Sequence, residues 1–177
     1  MTELGTPMFG EGCRAERMTE AHRNLLRDAC AEDPDLWEIY YASYAPEDFD
    51  DSFDALMVRR DLHPFAFTEG DAFVGMSCFL NIYPDRQTLE IGGTYWRPSA
   101  RNTGFDRRAK TMMLARAFDC GFCRVEFRVD QRNTRSQAAM KKLGAVREGL
   151  LRAERISWNG HIRDTVLFAI LRDEWDG

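Results

Sequence analysis

The stretch Glu90–Leu114, EIGGTYWRPSARNTGFDRRAKTMML, changes its period halfway along. Together with Gln87–Leu89 its first part reads as a strand, QTLEIGGTYW. A polar loop with Pro98 and Gly104 follows, and from Thr103 the apolar residues Phe105, Ala109, Met112, Met113 and Phe118 recur at helical spacing. The tripeptide Arg-Asn-Thr of that loop, residues 101–103, returns at 132–134, again between a strand pattern, CRVEFRVD, and a helix pattern, SQAAMKKLGA, which Gly144 ends. Helical crossovers of this kind join parallel strands right-handedly, and ligands of such sheets bind beyond the strands' carboxyl ends, where helix N-termini point. Both Arg-Asn-Thr segments are therefore expected at one edge of a sheet.

Working outward, TEAHRNLLRDACAED from Thr19, PDLWEIYYASY behind Asp33, and a segment from Pro46 through Phe49, Phe53, Leu56 and Met57 each read as a helix. PFAFTEGDAFVGMSCFLNIYP reads as a hairpin across Glu69-Gly70-Asp71, and Asn159-Gly160 marks a second hairpin between the last two strands. The expected order is three helices, three strands, helix, strand, helix, two strands. Residues 1–11, with glycine, proline and little periodicity, read as a flexible lead to a single domain over 12–177.

A chain of 177 residues buries a sufficient core without a disulfide or metal staple. The net charge of −5 argues against a nucleic-acid module, which needs a net basic surface. No apolar run approaches the ~18 residues of a membrane span, and the N-terminus has no signal-peptide core, so the expected address is the cytoplasm. The odd count of 5 cysteines fits reduced thiols. Cys120-x-x-Cys123 lies between a helix end and a strand start, the wrong polarity for a redox pair, and His22, His63 and His161 show no metal-ligand spacing. The expectation is no metal.

A helix N-terminus can hold a phosphate on its unpaired amides, and Arg101-Asn102-Thr103-Gly104 offers a polar loop, a glycine for close approach and basic neighbours. It matches neither a nucleotide-hydrolase P-loop nor a dinucleotide fingerprint. Taken bare, an ordinary helix entrance explains it equally well, just as Asn133 and Ser136 can be cap residues of their helix.

EIGGTYWRPSARNTGFDRRAKTMML and VEFRVDQRNTRSQAAMKKLGAVREGLLR together resemble the two conserved blocks of the GNAT acyltransferases, and most the RimJ/RimL-like branch of N-acetyltransferases. Arg101-x-x-Gly104-x-Asp106 matches all but the last position of that family's diphosphate loop, where a small residue is usual. Asn133 and Ser136 match the segment opening the next helix. The resemblance covers residues 87–175 and implies one α/β domain: a mixed, mostly antiparallel sheet with a splayed parallel strand pair, flanked by helices. It implies an acetyl-CoA donor held by Arg101, Asn102, Thr103, Gly104, Phe105 and Asp106, by backbone amides near Tyr95 and Trp96, and by Asn133. The acceptor is a primary amine, a protein N-terminal α-amine or a small molecule, that attacks the thioester directly. Ser136 would donate to the departing thiolate, and homodimers are common in such folds.

The attacking amine must lose a proton, and Glu90, on the strand before the loop, is the first candidate base, with Glu126 behind it. On strict alternation Glu90 shares a face with Gly92 and Thr94, opposite Leu89, Ile91 and Tyr95. The aromatic residues Trp37, Tyr40, Tyr41, Tyr44, Phe49 and Phe53 are either helix core or a substrate wall. The acidic run Glu47, Asp48, Asp50, Asp51, Asp54 reads as a solvated face, leaning toward a cationic acceptor if it steers at all. Asp106 is expected to repel the diphosphate, so that its replacement by Gly or Asn tightens acetyl-CoA binding at low salt. A catalytically silent acyl-CoA-binding module and a thiol protein built on Cys120 and Cys123 stand as the other readings.

Overall fold

Eight strands form one mixed sheet in the computed structural model, which describes residues 3–176. In chain order the elements are β1 (Met8–Gly10), β2 (Cys13–Arg17), α1 (Arg23–Ala31), α2 (Phe49–Val58), β3 (His63–Glu69), β4 (Ala72–Tyr83) and β5 (Thr88–Trp96). There follow α3 (Phe105–Asp119), β6 (Arg124–Asp130), α4 (Thr134–Leu143), β7 (Val146–Ile156) and β8 (Ile162–Leu171). The sheet order is β1-β2-β3-β4-β5-β6-β8-β7, and every neighbouring pair is antiparallel except β5 and β6. This is a single α/β domain with one parallel pair, the architecture the two crossings imply. Among the described residues no helix is long and apolar enough to cross a membrane.

Two apolar layers cover the sheet. On one face Phe105, Ala109, Met113 and Leu114 of α3 and Met140 of α4 pack against Leu89, Ile91, Val125 and Phe127. On the other, Leu26 and Ala29 of α1, Trp37, and Phe49 and Phe53 of α2 pack against Ala66, Met76, Cys78 and Tyr95. Trp37, Tyr44, Phe49 and Phe53 are thus core, as their spacing suggests.

Three expectations change. First, the segment opened by Asp33-Pro34 makes only a short 3-10 turn, Pro34–Ile39, and Tyr40 and Tyr41 continue in extended or bent backbone. The Asp33 carboxylate does not cap the turn; it pairs with Arg101. Second, residues 8–10, assigned to the flexible lead, form β1 and pair with Cys13–Ala15, and Met8 is 1% exposed. β2 was missed for the same reason: CRAER buries only Cys13 and Ala15, and a five-residue strand with three charges carries no apolar run. Residues 1–2, also in that lead, lie outside the described residues.

Third, alternation breaks in the middle of β5. Cys78 opposes Gly92 and Met76 opposes Tyr95, so β5 carries one residue more than β4 between these pairs. Gly93, at φ +59°, absorbs the bulge in the left-handed region that favours glycine. The phase beyond it flips: Trp96, not Tyr95, joins Leu89 and Ile91 in the α3 layer, while Tyr95 enters the α1 layer and donates its hydroxyl to Ala29 O.

Candidate active site

The parallel pairing of β5 and β6 is short, Thr88–Glu90 against Arg124–Glu126. Beyond it the strands part: β5 follows β4 to Trp96 and β6 follows β8 to Asp130. The resulting opening at the carboxyl end of both strands holds two chambers. The first lies against the Arg101–Gly104 loop and is lined by Leu36, Trp96, Arg101, Asn102, Asp106, Arg135 and Ala139. The second lies against Glu90 and is lined by Tyr41, Arg59, Asn81, Arg128, Asp130, Arg155 and Arg163. Tyr40, Thr94, Lys110, Asn133 and Ser136 border both.

In the first chamber the N-termini of α3 and α4 converge, each presenting the positive end of its dipole. Gly104 caps α3 at φ +86°, and a Cβ added there would meet nothing within 4 Å, so the loop faces open space. Asn102, Thr103 and Gly104 are exposed, and Thr103 stiffens the turn by donating to Ala100 O at 2.8 Å. Phe105 is fully buried against Trp96, and its amide lies 3.3 Å from the Thr103 hydroxyl, so its side chain serves the core. The Arg101 guanidinium turns inward to Trp96 O at 2.9 Å, Asp33 and the Tyr95 ring. It anchors the loop. An open loop at two helix N-termini fits a diphosphate, which needs amides more than a dedicated cation.

Asp106 is not an unbalanced carboxylate. It accepts the Trp96 indole N–H at 2.7 Å and pairs with Lys110 one turn on, whose side chain is 7% exposed. Burial alone would raise the Asp106 carboxyl; the Lys110 ammonium and these hydrogen bonds outweigh it and hold the group below the usual carboxylate range. This pairing removes the basis for the expected repulsion of a diphosphate. Arg108 pairs with Glu69, Arg107 is exposed, and the countercharge is Lys110.

At α4, Asn133 is the cap: its Oδ1 accepts the Ser136 amide at 2.9 Å. Among the described residues the Ser136 hydroxyl has no hydrogen-bond partner, so it is not the cap group and stands free at the border of the two chambers. Tyr40 donates to Thr94 O at 2.7 Å, which fixes the bulged strand across the opening.

In the second chamber Glu90 sits at the last paired position before the strands part. It accepts Asn81 Nδ2 at 2.7 Å and lies 3.5 Å from Arg128 Nε. Burial pushes its carboxyl up, against the lowering effects of Asn81 and Arg128, as a general base needs. Glu126, its partner across the pair, is instead held between Arg124 at 3.0 Å and Arg128 at 3.2 Å. The two tyrosines that left the helical pattern both reach the opening, and burial raises each phenol to about 12.

Lys110, Arg135 and the arginines of β6–β8 went unassigned from the sequence. Lys110 had one local signal, its i+4 spacing from Asp106. Arg135 lies in the first turn of α4 facing the loop chamber, and could have been found there. Cys120 ends α3 and Cys123 precedes β6, the placement expected, and burial raises the Cys120 thiol, the reverse of an activated nucleophile. Among the described residues no group of three or more His, Cys, Asp and Glu is placed to hold a metal.

Comparison with known proteins agrees with this geometry. Residues 15–146 match the family model of the acetyltransferase (GNAT) domain. A candidate GNAT-family acetyltransferase from Chromobacterium violaceum is 25% identical, with a TM-score of 0.90 over 98% of this chain and 89% of that one. A candidate acetyltransferase from T. thermophilus is 28% identical, with a TM-score of 0.89 over 99% and 94%. RimJ of Mycobacterium smegmatis, solved with CoA-disulfide, shares the fold at 20% identity and a TM-score of 0.81 over 97% and 88%. No curated protein matches the sequence at a significant level. With a matching family model over most of its length and the parted parallel strands that the fold requires, this chain belongs to the GNAT acetyltransferase family.

Proposed function

We propose that the protein transfers an acetyl group from acetyl-CoA to a primary amine in a ternary complex, as a member of the RimJ/RimL-like branch. The observation that carries this reading is the pair of chambers meeting at Thr94, Lys110, Asn133 and Ser136. The loop chamber suits the donor: its amides at Asn102–Gly104, the α4 dipole and the Arg135 side chain would take the diphosphate. The Asn133 amide nitrogen, left over from capping, would hold the pantetheine arm between the parted strands. The Glu90 chamber suits the acceptor.

In the reaction the amine nitrogen attacks the thioester carbonyl carbon. The C–N bond forms, the C–S bond breaks, and the amine proton passes to Glu90 directly or through water. The electron pair leaves with sulfur as the CoA thiolate, a conjugate base of pKa about 8.5. A thiolate of that basicity needs stabilisation more than full protonation at neutral pH, and the free Ser136 hydroxyl and the Lys110 ammonium stand where it departs. No covalent enzyme intermediate is involved, and positioning of the two substrates supplies much of the rate.

This assigns Ser136 a role only in the chemical step. Ser136→Ala is expected to lower kcat about 10-fold, the low end of acid–base effects, with the KM for acetyl-CoA unchanged. Steady-state thiol release measures both constants. A rise in KM at constant kcat would mean that Ser136 holds the donor in the ground state, and full retention of both would remove it from the site.

A further inference from the structure

We propose that the acceptor is a small amine that also carries a carboxylate, an amino acid or close analogue, and that the Glu90 chamber is built to hold that acid group. The inference rests on the acetyltransferase reading and deepens it.

The wall of this chamber carries Arg59, Lys110, Arg128, Arg155 and Arg163 against only two carboxylates, Glu90 and Asp130. Three of these arginines meet because of register. Arg128 leaves β6 on the side of Glu90, and β8 pairs with β6 so that Thr165 opposes Asp130. β7 then bulges at Arg152–Glu154, with Ala153 at φ +49° held by Asp164 Oδ1 at 2.7 Å. The bulge turns the adjacent Glu154 and Arg155 into contact with the same cluster.

The carboxylates that balance these cations stand to one side of the opening. Glu154 is engaged by Arg155 at 2.7 Å, Thr165 at 3.1 Å and Arg128 at 3.4 Å. Arg59, at the mouth, pairs with exposed Asp61 at 2.6 Å. Asp130 is taken by Arg132 at 2.8 Å and lies 3.9 Å from Arg163. Arg163 itself is 4% exposed and donates only to neutral oxygens, Thr165 Oγ1 and Arg128 O, both at 3.0 Å. Burial and the nearby Arg155 disfavour its charge. Arg128 Nε is buried with no hydrogen-bond partner among the described residues. Arg163 shares its nearest carboxylate, Asp130, with Arg132, and Arg128 Nε stands 3.5 Å from Glu90 without a hydrogen bond; an incoming carboxylate would satisfy both through charge-assisted hydrogen bonds.

The same surface disfavours a polycation. Five cations on the wall oppose an acceptor with several ammonium groups, while they ease loss of the proton from the one amine that must attack. The acidic run of α2 does not counter this. Asp50 and Asp54 lie on the exposed face of that helix, paired with Arg23 and Arg27, and do not line the chamber. The leaning toward a cationic acceptor read from that run is therefore replaced. Tyr40, Tyr41 and Leu80 border the space, so the acid and the amine are expected to be separated by a short chain.

The test is thiol release from acetyl-CoA by the purified protein with amino acids, the corresponding amino-acid amides, and spermidine. At least one amino acid is expected to exceed its own amide by ~10-fold or more in kcat/KM, the worth of one charge-assisted hydrogen bond. Arg155→Met is expected to erase most of that ratio by raising KM for the acid more than KM for the amide. Arg59→Gln, at an exposed position, is expected to halve the preference or more. Amides or spermidine turning over as well as the acids would overturn this proposal and leave the acetyltransferase reading standing. No release with any amine would overturn both.

Discussion

Glu90→Gln is expected to lower kcat by ~100-fold or more at neutral pH, the usual worth of a positioned general base. The substitution keeps the shape and an acceptor oxygen for Asn81, so folding and the KM for acetyl-CoA should change little. The pH profile carries the sharper test. Burial raises the Glu90 carboxyl, so in the wild type kcat/KM should rise with pH along a limb placed above the ordinary carboxylate range. In the Gln variant that limb should vanish, leaving only the titration of the acceptor amine. The same shift has a sign for stability. A carboxyl raised in the folded state contributes stability at low pH that is lost as pH rises through its folded pKa, so Glu90→Gln should be the more stable protein at alkaline pH. Retention of both rate and limb would assign the proton to water or to another group.

Asp106→Ala should destabilise the fold by about 3 kcal/mol, because it leaves the buried Lys110 ammonium without its carboxylate. The low end of the range for a broken buried pair is appropriate, since the Asp106 side chain is 34% exposed. The urea midpoint at constant slope reports the change. Asp106 is held below the usual carboxylate range, so its contribution is present above the unfolded pKa and lost as pH falls through the folded one. The gap between wild type and variant should close in acid. Acetyl-CoA affinity should also fall in Asp106→Ala and Asp106→Asn, because the carboxylate ties the Trp96 ring to α3 just behind the loop. Tighter binding at low salt would mean that the carboxylate faces the phosphates after all.

The two crossings were legible because each combines a change of period with local end signals that do not depend on distant residues. Gly104 and Gly144 bracket helices by the left-handed backbone that only glycine adopts cheaply, and Asn133 caps where its side chain can reach an amide three residues on. The turn at Gly70 and the hairpin at Gly160 are of the same kind. What stayed hidden depends on partners. β2 holds its place by pairing with β3, β1 by pairing with β2, and both by packing on α3, which three and five residues cannot announce. The bulge at Gly93 reverses the faces of Tyr95 and Trp96, and a lone glycine in a strand does not say which phase follows it.

The site divided along the same line. Glu90 and the Arg101–Gly104 loop could be singled out because they flank a crossing, whereas Asn133 and Ser136 were marked by the resemblance to the family's second block. Arg128, Arg155 and Arg163 could not, because the pairing order β6-β8-β7 and the bulge in β7 gather them. Asp106 was judged by its position in the loop, where the family usually has a small residue. The partner that matters is Lys110, one helical turn away and pointing into the protein.

The central claim is that the parted strands β5 and β6 bring a donor and an amine together for direct transfer. Mass spectrometry of an amine panel incubated with the protein and acetyl-CoA tests it most directly, read beside the thiol released. The structure predicts an acceptor that gains one acetyl group for each thiol set free, with release that depends on the amine and collapses in Glu90→Gln. Tight acetyl-CoA binding with no acetylated amine from any class would contradict it, and would leave a protein that binds the donor without transferring it.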